Sequence, residues 1–227
     1  MTPQLSIIVP MLNEAGQLAE KLQALQLLRG RCELLLVDGG SNDGSVALAM
    51  PWADQVLHSS RGRARQMNCG AAQAQADVLL FLHIDTLLPD NAADLIAQAI
   101  AAGFCWGRFN VNFDNTQTIF KLIAFMMNCR SRLTGIATGD QALFMSREAF
   151  LRVGGFPDIA LMEDITLSAK LKKLGKPCCL RDTVTTSARR WLQHGIAKTI
   201  LLMWWLRLRY FFGADPEVLA ACYYRQR

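Results

Sequence analysis

Apolar strand patterns and amphipathic helix patterns alternate through the first hundred residues. Leu5–Val9 and Glu33–Val37 read as short apolar strands, and Glu14–Leu28 between them reads as a helix. A short helix around Asn42–Ala49, a strand at Gln55–His58 and a helix at Arg63–Ala76 follow, leading into a strand at Val78–Leu82 and a helix at Asn91–Ala101. Such β-α-β alternation predicts an α/β fold with a mainly parallel sheet flanked by helices. Beyond residue 103 the rhythm loosens. Phe104–Phe113 alternates like a strand with one wetter face, Ile119–Arg132 reads as a helix, and Ala142–Ser146 as a short strand. Glu163–Leu174 reads as a helix closed by Gly175, with Pro177 beyond it. No repeat or linker divides the chain, so one catalytic-sized domain over 1–190 is expected, with a helical extension over 191–227.

The run from Val78 to Thr86 is the most informative. A continuous Val/Leu/Phe stretch suits a strand buried on both faces. Open α/β sheets bind ligands outside the carboxyl ends of their strands, and here the strand ends in His83-Ile84-Asp85. On a strand, residues two apart share a side, so His83 and Asp85 are expected to face one ligand. That pair suits a divalent cation carrying a phosphorylated substrate, or Asp85 simply caps the strand end. The run alone leaves both readings open.

Composition narrows the picture. Hydrophobic residues make up 52% of the 227, enough for one large core. The seven cysteines show no C-x-x-C pair, and no leader pattern precedes the first strand, which points to a cytoplasmic protein with reduced thiols. The net charge of +5 is uneven: residues 1–188 are balanced, while 189–227 hold seven basic side chains against two acidic. A nucleic-acid-binding body is therefore not expected. Thr199–Leu206 contains Trp204-Trp205 and is too short for a membrane span, which needs about 20 apolar residues. The tail is expected to pack on the domain, on a second copy, or on the inner face of a membrane.

Neither G-x-G-x-x-G nor a P-loop occurs, which disfavours Rossmann dehydrogenases and P-loop enzymes. Acidic residues at strand ends take their place: Glu14 after the first strand, Asp38 after the second, Asp85 after the fourth. Asp38 opens the loop Gly39-Gly40-Ser41-Asn42-Asp43-Gly44, whose residues serve either a nucleotide or the turn itself. Arg61, Arg63 and Arg65 lie at the start of a helix, where amides and a guanidinium can cradle a diphosphate. Arg65, followed by Gln66-Met67-Asn68, is the preferred candidate. Glu163-Asp164 opens another helix, either to suit its dipole or to supply a general base.

In their order and spacing these segments resemble the family 2 glycosyltransferases, which have the GT-A fold. The resemblance spans about residues 5–191. It rests on Val9-Pro10-Met11-Leu12-Asn13-Glu14, Val37 to Gly44, Arg65 to Asn68, Leu82 to Thr86, Gly139-Asp140-Gln141, Gly154-Gly155-Phe156-Pro157 and Glu163-Asp164. The His-x-Asp variant and the ending Ser187-Ala188-Arg189-Arg190-Trp191 look like a smaller bacterial subgroup.

The resemblance implies a metal-dependent inverting transferase that moves one sugar from a UDP- or GDP-sugar to the hydroxyl of a small or lipid-linked acceptor. Pro10, Asn13, Glu14, Asp38, Gly39, Gly40, Arg65, Asn68, His83, Arg190 and Trp191 would bind the donor, and Gly139, Asp140 and Gln141 the acceptor. Asp85, with His83, would bind Mn²⁺ or Mg²⁺. Asp164, beside Glu163, would be the base. His83 stands where the family's D-x-D motif has its first aspartate, and an imidazole there favours Mn²⁺. Ser187 replaces the glutamine of Q-x-x-R-W, which favours single transfer over polymer extrusion. Two other classes fit strand-end carboxylates less well: a nucleotidyltransferase releasing pyrophosphate, and a non-catalytic nucleotide-sugar-binding scaffold.

Overall fold

A computed structural model of the chain describes residues 3–225. Met1, Thr2 and Arg227, which entered the leader and charge readings, lie outside the described residues. Eight strands run β1 (Leu5–Met11), β2 (Cys32–Asp38), β3 (Gln55–His58), β4 (Val78–Phe81), β5 (Thr86–Leu87), β6 (Trp106–Phe113), β7 (Leu143–Ser146) and β8 (Cys178–Thr186). The helices are α1 (Ala15–Leu25), α2 (Ser45–Ala49), α3 (Arg63–Gln73), α4 (Ala92–Ala101), α5 (Thr118–Thr134), α6 (Arg147–Arg152) and α7 (Glu163–Leu171). A tail of α8 (Arg189–His194), α9 (Ile196–Phe211) and α10 (Pro216–Tyr224) follows.

The strands form one sheet in the order β3-β2-β1-β4-β7-β6-β8-β5. Its first four strands are mutually parallel, and β6 is parallel to β8, while β7 runs antiparallel to both its neighbours. Period-two alternation splits the core in two. Ile7, Val9 and Met11 face one apolar layer with α1 and α4, whereas Ile8 and Val37 face the other with α3 and α7. Every residue of β1 and β2 is buried, which explains their unbroken apolar sequence. Gly70 of α3 permits this contact, because a Cβ there would come within 2.5 Å of Ile8. Strand order reverses across β1, with β2 on one side and β4 on the other. The crevice outside the carboxyl ends of these strands is thus a topological switch point.

Three expectations change. The fourth strand stops at Phe81, and His83 to Asp85 form a turn closed by the Thr86 N–H on the His83 carbonyl (3.0 Å). Strand alternation therefore does not set the facing of His83 and Asp85. The strand β8 was not expected. Its pattern is half-exposed through Asp182, so it lacks the apolar run that marks the central strands. The apolar tail segment is part of a 16-residue helix, α9, that continues beyond Arg207.

The tail packs on the body. Ile196 and Ile200 meet a cluster of Phe113, Phe120 and Ala188. Leu206, Leu219, Ala220 and Tyr223 enclose Leu161 and Met162, directly before the Glu163-Asp164 pair.

Candidate active site

The first wall of the crevice is the pair of loops after β1 and β2. Asp38 is buried, and its carboxylate accepts the N–H groups of Gly40 (2.9 Å) and Ser41 (3.1 Å), with His58 Nδ1 at 3.6 Å. Burial raises its pKa, but the Ser41 and Gly40 hydrogen bonds and His58 outweigh this and hold it below the usual carboxylate range. The Asn13 N–H donates to Ser41 Oγ, and Asn13 Oδ1 accepts the Asn42 N–H, both at 2.9 Å. The Glu14 N–H donates to Ser45 Oγ, and the Glu14 carboxylate accepts from Gln17. Asp43 joins α1 to α2 by accepting the N–H groups of Ala15 and Ser45. Beneath them Gln66, which the motif reading passed over, donates to the Met11 and Val37 carbonyls at 2.9 and 2.7 Å. Gly39 lies against it, since a Cβ there would sit 3.0 Å from the Gln66 side chain.

The second wall is built by the turn after β4, the segment 137–142 and the start of α7. His83 Nδ1 lies 3.2 Å from Asp140 Oδ1. Its other nitrogen lies against the backbone of Gly139, where an added Cβ would fall 2.3 Å from Nε2. The Gly139 N–H in turn donates to Asp164 Oδ2 (2.8 Å), and the Ile165 N–H to Asp164 Oδ1 (2.7 Å). Ser168 Oγ fastens the segment to α7 through the N–H and carbonyl of Ala137. A continuous chain of contacts therefore runs from the β4 turn to Asp164. Gln141 is fully buried, and its side chain accepts the Thr138 N–H.

Charge concentrates on this wall. Burial is the main cause, with Asp164 next, that pushes the Glu163 carboxyl up to about 7 against the pull of Arg63 and His83. Burial also acts to raise Asp140, but the His83 hydrogen bond and the charges of His83, Arg63 and Arg190 leave it lowered. Arg63, at the first turn of α3, is a cation on which Glu163, Asp140 and Asp85 act. The sequence pattern favours Arg65 instead. Two residues apart on a helix means about 200° of rotation, and Arg65 points away to an exposed ion pair with Asp158 (2.7 Å). Nothing in the local sequence distinguishes the two; the phase of α3 does.

Other expected site residues stand as follows. Asn68 braces the Gly154-Gly155-Phe156 loop, donating to and accepting from the Phe156 backbone at 2.9 and 3.0 Å. Arg190 stacks over Tyr223 at 3.8 Å, and Trp191 packs edge-on against Phe113. Pro10 lies within buried β1. Asp85 is half-buried, with Thr86 Oγ1 at 3.4 Å. Among the described residues no three His, Cys, Asp or Glu side chains form a ready metal cage. Asp85 nonetheless fits a hard cation shared with phosphate oxygens, a role that takes only one or two protein carboxylates. His83 fits less well as a ligand, because its nitrogens face Asp140 and Gly139.

Backbone conformation marks the same places. Asn13, Ala142 and Met162 are the described non-glycine residues with positive φ, at 56°, 47° and 71°. Each adjoins a candidate segment: Glu14, Gly139 to Gln141, and Glu163. Such residues cost on the order of 1–3 kcal/mol and gather at functional sites. A cavity of about 390 Å³ lined by Phe104, Cys105 and Arg152 holds none of these side chains. It adjoins Ser146, which pairs with Val78 at the opposite end of β4.

Residues 6–155 match glycosyl transferase family 2, and the chain belongs to that family. It is 33% identical over 106 residues to an uncharacterized glycosyltransferase of Mycobacterium tuberculosis, a match covering 44% of this chain and 40% of that protein. Among solved structures it resembles a mannosyltransferase from Pyrobaculum calidifontis in complex with GDP-Man and Mn²⁺. That likeness has a TM-score of 0.63 and 23% identity, covering 82% of this chain and 57% of the other. It also resembles Staphylococcus aureus TarS 1–349 in complex with UDP-GlcNAc, with a TM-score of 0.64 and 16% identity over 81% and 58% of the two chains. These likenesses establish the GT-A fold. The chain spans about two fifths of the mycobacterial relative and just under three fifths of the two solved chains.

Proposed function

We propose that this protein transfers one sugar, with inversion, from a UDP- or GDP-sugar to an acceptor hydroxyl. The observation that carries this reading is the Asp164 carboxylate held by the Gly139 N–H, joined through Gly139 to the His83–Asp85 turn at the end of β4. The nucleoside occupies the laced loops around Asn13 and Asp38. The nucleotide-sugar complexes of the fold neighbours support that assignment by analogy.

In the displacement, the acceptor oxygen bonds to the anomeric carbon as the bond from that carbon to the phosphate oxygen breaks. The acceptor proton passes to Asp164, and the electron pair leaves with the nucleoside diphosphate. Its two fixed hydrogen bonds orient Asp164 and leave lone pairs for that proton. Glu163, with its raised pKa, shares the proton load and limits the negative charge beside Asp164 at neutral pH. Arg63 faces the departing charge, with Asp140 and His83 positioning the turn. Asp85 would hold a divalent cation, which when bound neutralises the diphosphate.

The test is Asp164→Asn. Transfer from a UDP- or GDP-sugar, read as release of the nucleoside diphosphate, should fall by roughly 10²–10⁴-fold, while nucleotide affinity is retained. Unchanged turnover would remove Asp164 as base. Release of pyrophosphate from a nucleoside triphosphate would mark a nucleotidyltransferase instead.

The outer face of α9 supports a membrane-surface role for the tail. Leu201, Trp204, Leu208 and Phe211 are exposed there, with Lys198 and Arg209 on the same helix. No described helix is long and apolar enough to cross a membrane. Co-sedimentation with anionic vesicles should be lost in the Trp204→Ser, Phe211→Ser double variant. A concentration-dependent dimer that the same changes dissolve would replace the membrane with a second copy.

A further inference from the structure

Two arginines on elements that pack around Asp164 have no part in the transfer as derived: α9 packs Leu206 on Leu161 and Met162 and brings Tyr210 Oη to 2.6 Å from Thr166 Oγ1 of α7, and α5 brings Asn128 Oδ1 to 3.4 Å from Gln141 Nε2. Arg130 lies on α5 and Arg207 on α9, so they come from separate elements. Nε and Nη2 of Arg130 are buried and have no hydrogen-bond partner among the described residues. Neither arginine makes an ion pair there.

Their charges oppose each other. Burial first, then the Arg207 charge, push Arg130 down to about 10, and burial lowers Arg207. The carboxylates that act favourably on both are Asp164 and Asp140. Arg63 lies differently, against Glu163, Asp140 and Asp85. All three arginines share Asp140, and only Arg130 and Arg207 also share Asp164.

A purely structural arginine would be expected to have its N–H groups bonded, because a buried unsatisfied donor is destabilising and a buried unpaired charge more so. Arg130, with orphaned buried donors, and the half-buried Arg207 match an anion that both can grip. Guanidinium forks fit the oxygens of phosphate bidentately. We propose that Arg130 and Arg207 form an anion site beside Asp164 that binds a phosphate group carried by the acceptor. The placement on the acceptor rests on the transferase reading; the anion site itself does not. Arg207 comes from the tail, so the extension completes the site that the 1–190 body begins.

The test is calorimetric titration of inorganic phosphate into the full chain, with Mn²⁺ and UDP or GDP present to fill the donor side. Wild type should bind phosphate, and Arg207→Gln and Arg130→Met should each weaken binding about tenfold or more. Arg130→Met should also keep or raise the melting temperature, since it removes orphaned buried donors. No phosphate binding by wild type would overturn the proposal. So would equal affinity in both variants, or loss confined to Arg63→Gln. A destabilised Arg130→Met that binds phosphate normally would make Arg130 structural and overturn it as well.

Phosphatidylcholine vesicles with and without phosphatidic acid identify the source. Phosphatidic-acid-dependent binding lost in Arg207→Gln assigns a lipid headgroup; phosphate binding without it assigns a soluble acceptor. Absent nucleotide binding with phosphate binding intact would overturn the transferase reading alone.

Discussion

The two walls of the crevice solve opposite problems. On the β1/β2 side almost every polar group is already bonded: Asp38 to two amides, Asn13 to Ser41 and Asn42, Glu14 to Gln17 and Ser45. On the α7 side charges are crowded and incompletely bonded, with Glu163 raised to about 7 and Arg130 orphaned. A wall that only binds can be rigid at little expense to stability. The proton transfer proposed for the α7 side requires groups whose charge is not fully compensated until substrate arrives.

Breaking the chain of contacts inside the second wall should have the largest effect. Gly139→Ala puts a Cβ 2.3 Å from His83 Nε2, so either the ring or the amide that holds Asp164 must move. Displacing a reacting group by about 1 Å can lower turnover on the order of a hundredfold. Turnover should therefore fall far more than nucleotide affinity; an equal loss of both would mean that the walls are not separable.

Glu163→Gln should act on stability instead of turnover, and its sign is opposite to that of most buried substitutions. The folded pKa of Glu163 is raised from 4.5 to about 7, so between those values the folded state holds more proton than the unfolded. Stability accordingly falls as pH rises through that window and is flat above it. Removing the carboxylate should recover up to about 3 kcal/mol above pH 7, seen as a melting temperature that no longer drops between pH 5 and 8. A destabilised variant at pH 8 would show that the charge is compensated.

Asp38→Asn probes the bonded wall and should be smaller still. It weakens charge-assisted bonds to the Gly40 and Ser41 amides, a loss of about 2 kcal/mol. The lowered Asp38 pKa means that this stability is present above about pH 4 and lost in wild type as pH falls through the folded pKa. Below it the two proteins should converge in thermal melts. Weaker nucleotide binding with unchanged turnover at saturation would sharpen the division of labour.

Much of the first wall was legible in the sequence. Unbroken apolar runs ending in Asp38 and before His83 identify buried parallel strands and their carboxyl ends, because burial on both faces leaves no polar position until the strand emerges. Gly39 and Asp43 follow from turn chemistry, whereas Asn13 came only from the family motif and makes its bonds 28 and 29 residues away. The second wall was less legible. Asp164 could be named, but its holder, the Gly139 amide, is 25 residues away. Arg63 rather than Arg65 faces the carboxylates through helix phase, a two-residue matter that no motif fixes. Arg130 and Arg207 lie in segments that read as an ordinary amphipathic helix and an apolar tail, and no residue beside them signals their inward direction.

The sequence by itself determined the alternation of buried strands and helices, the acidic strand ends and the family order of the motifs. These depend on burial, turn conformation and nearest neighbours, which are properties of short segments. Only the tertiary structure decided which side chains share a dielectric and a charge. It put His83 on Gly139 and Asp140, Arg65 outside, and α9 against the Asp164 wall with Arg207 beside Arg130. Electrostatic coupling and desolvation depend on distances through space, and residues 77 apart in the chain acquire those only when the chain has folded.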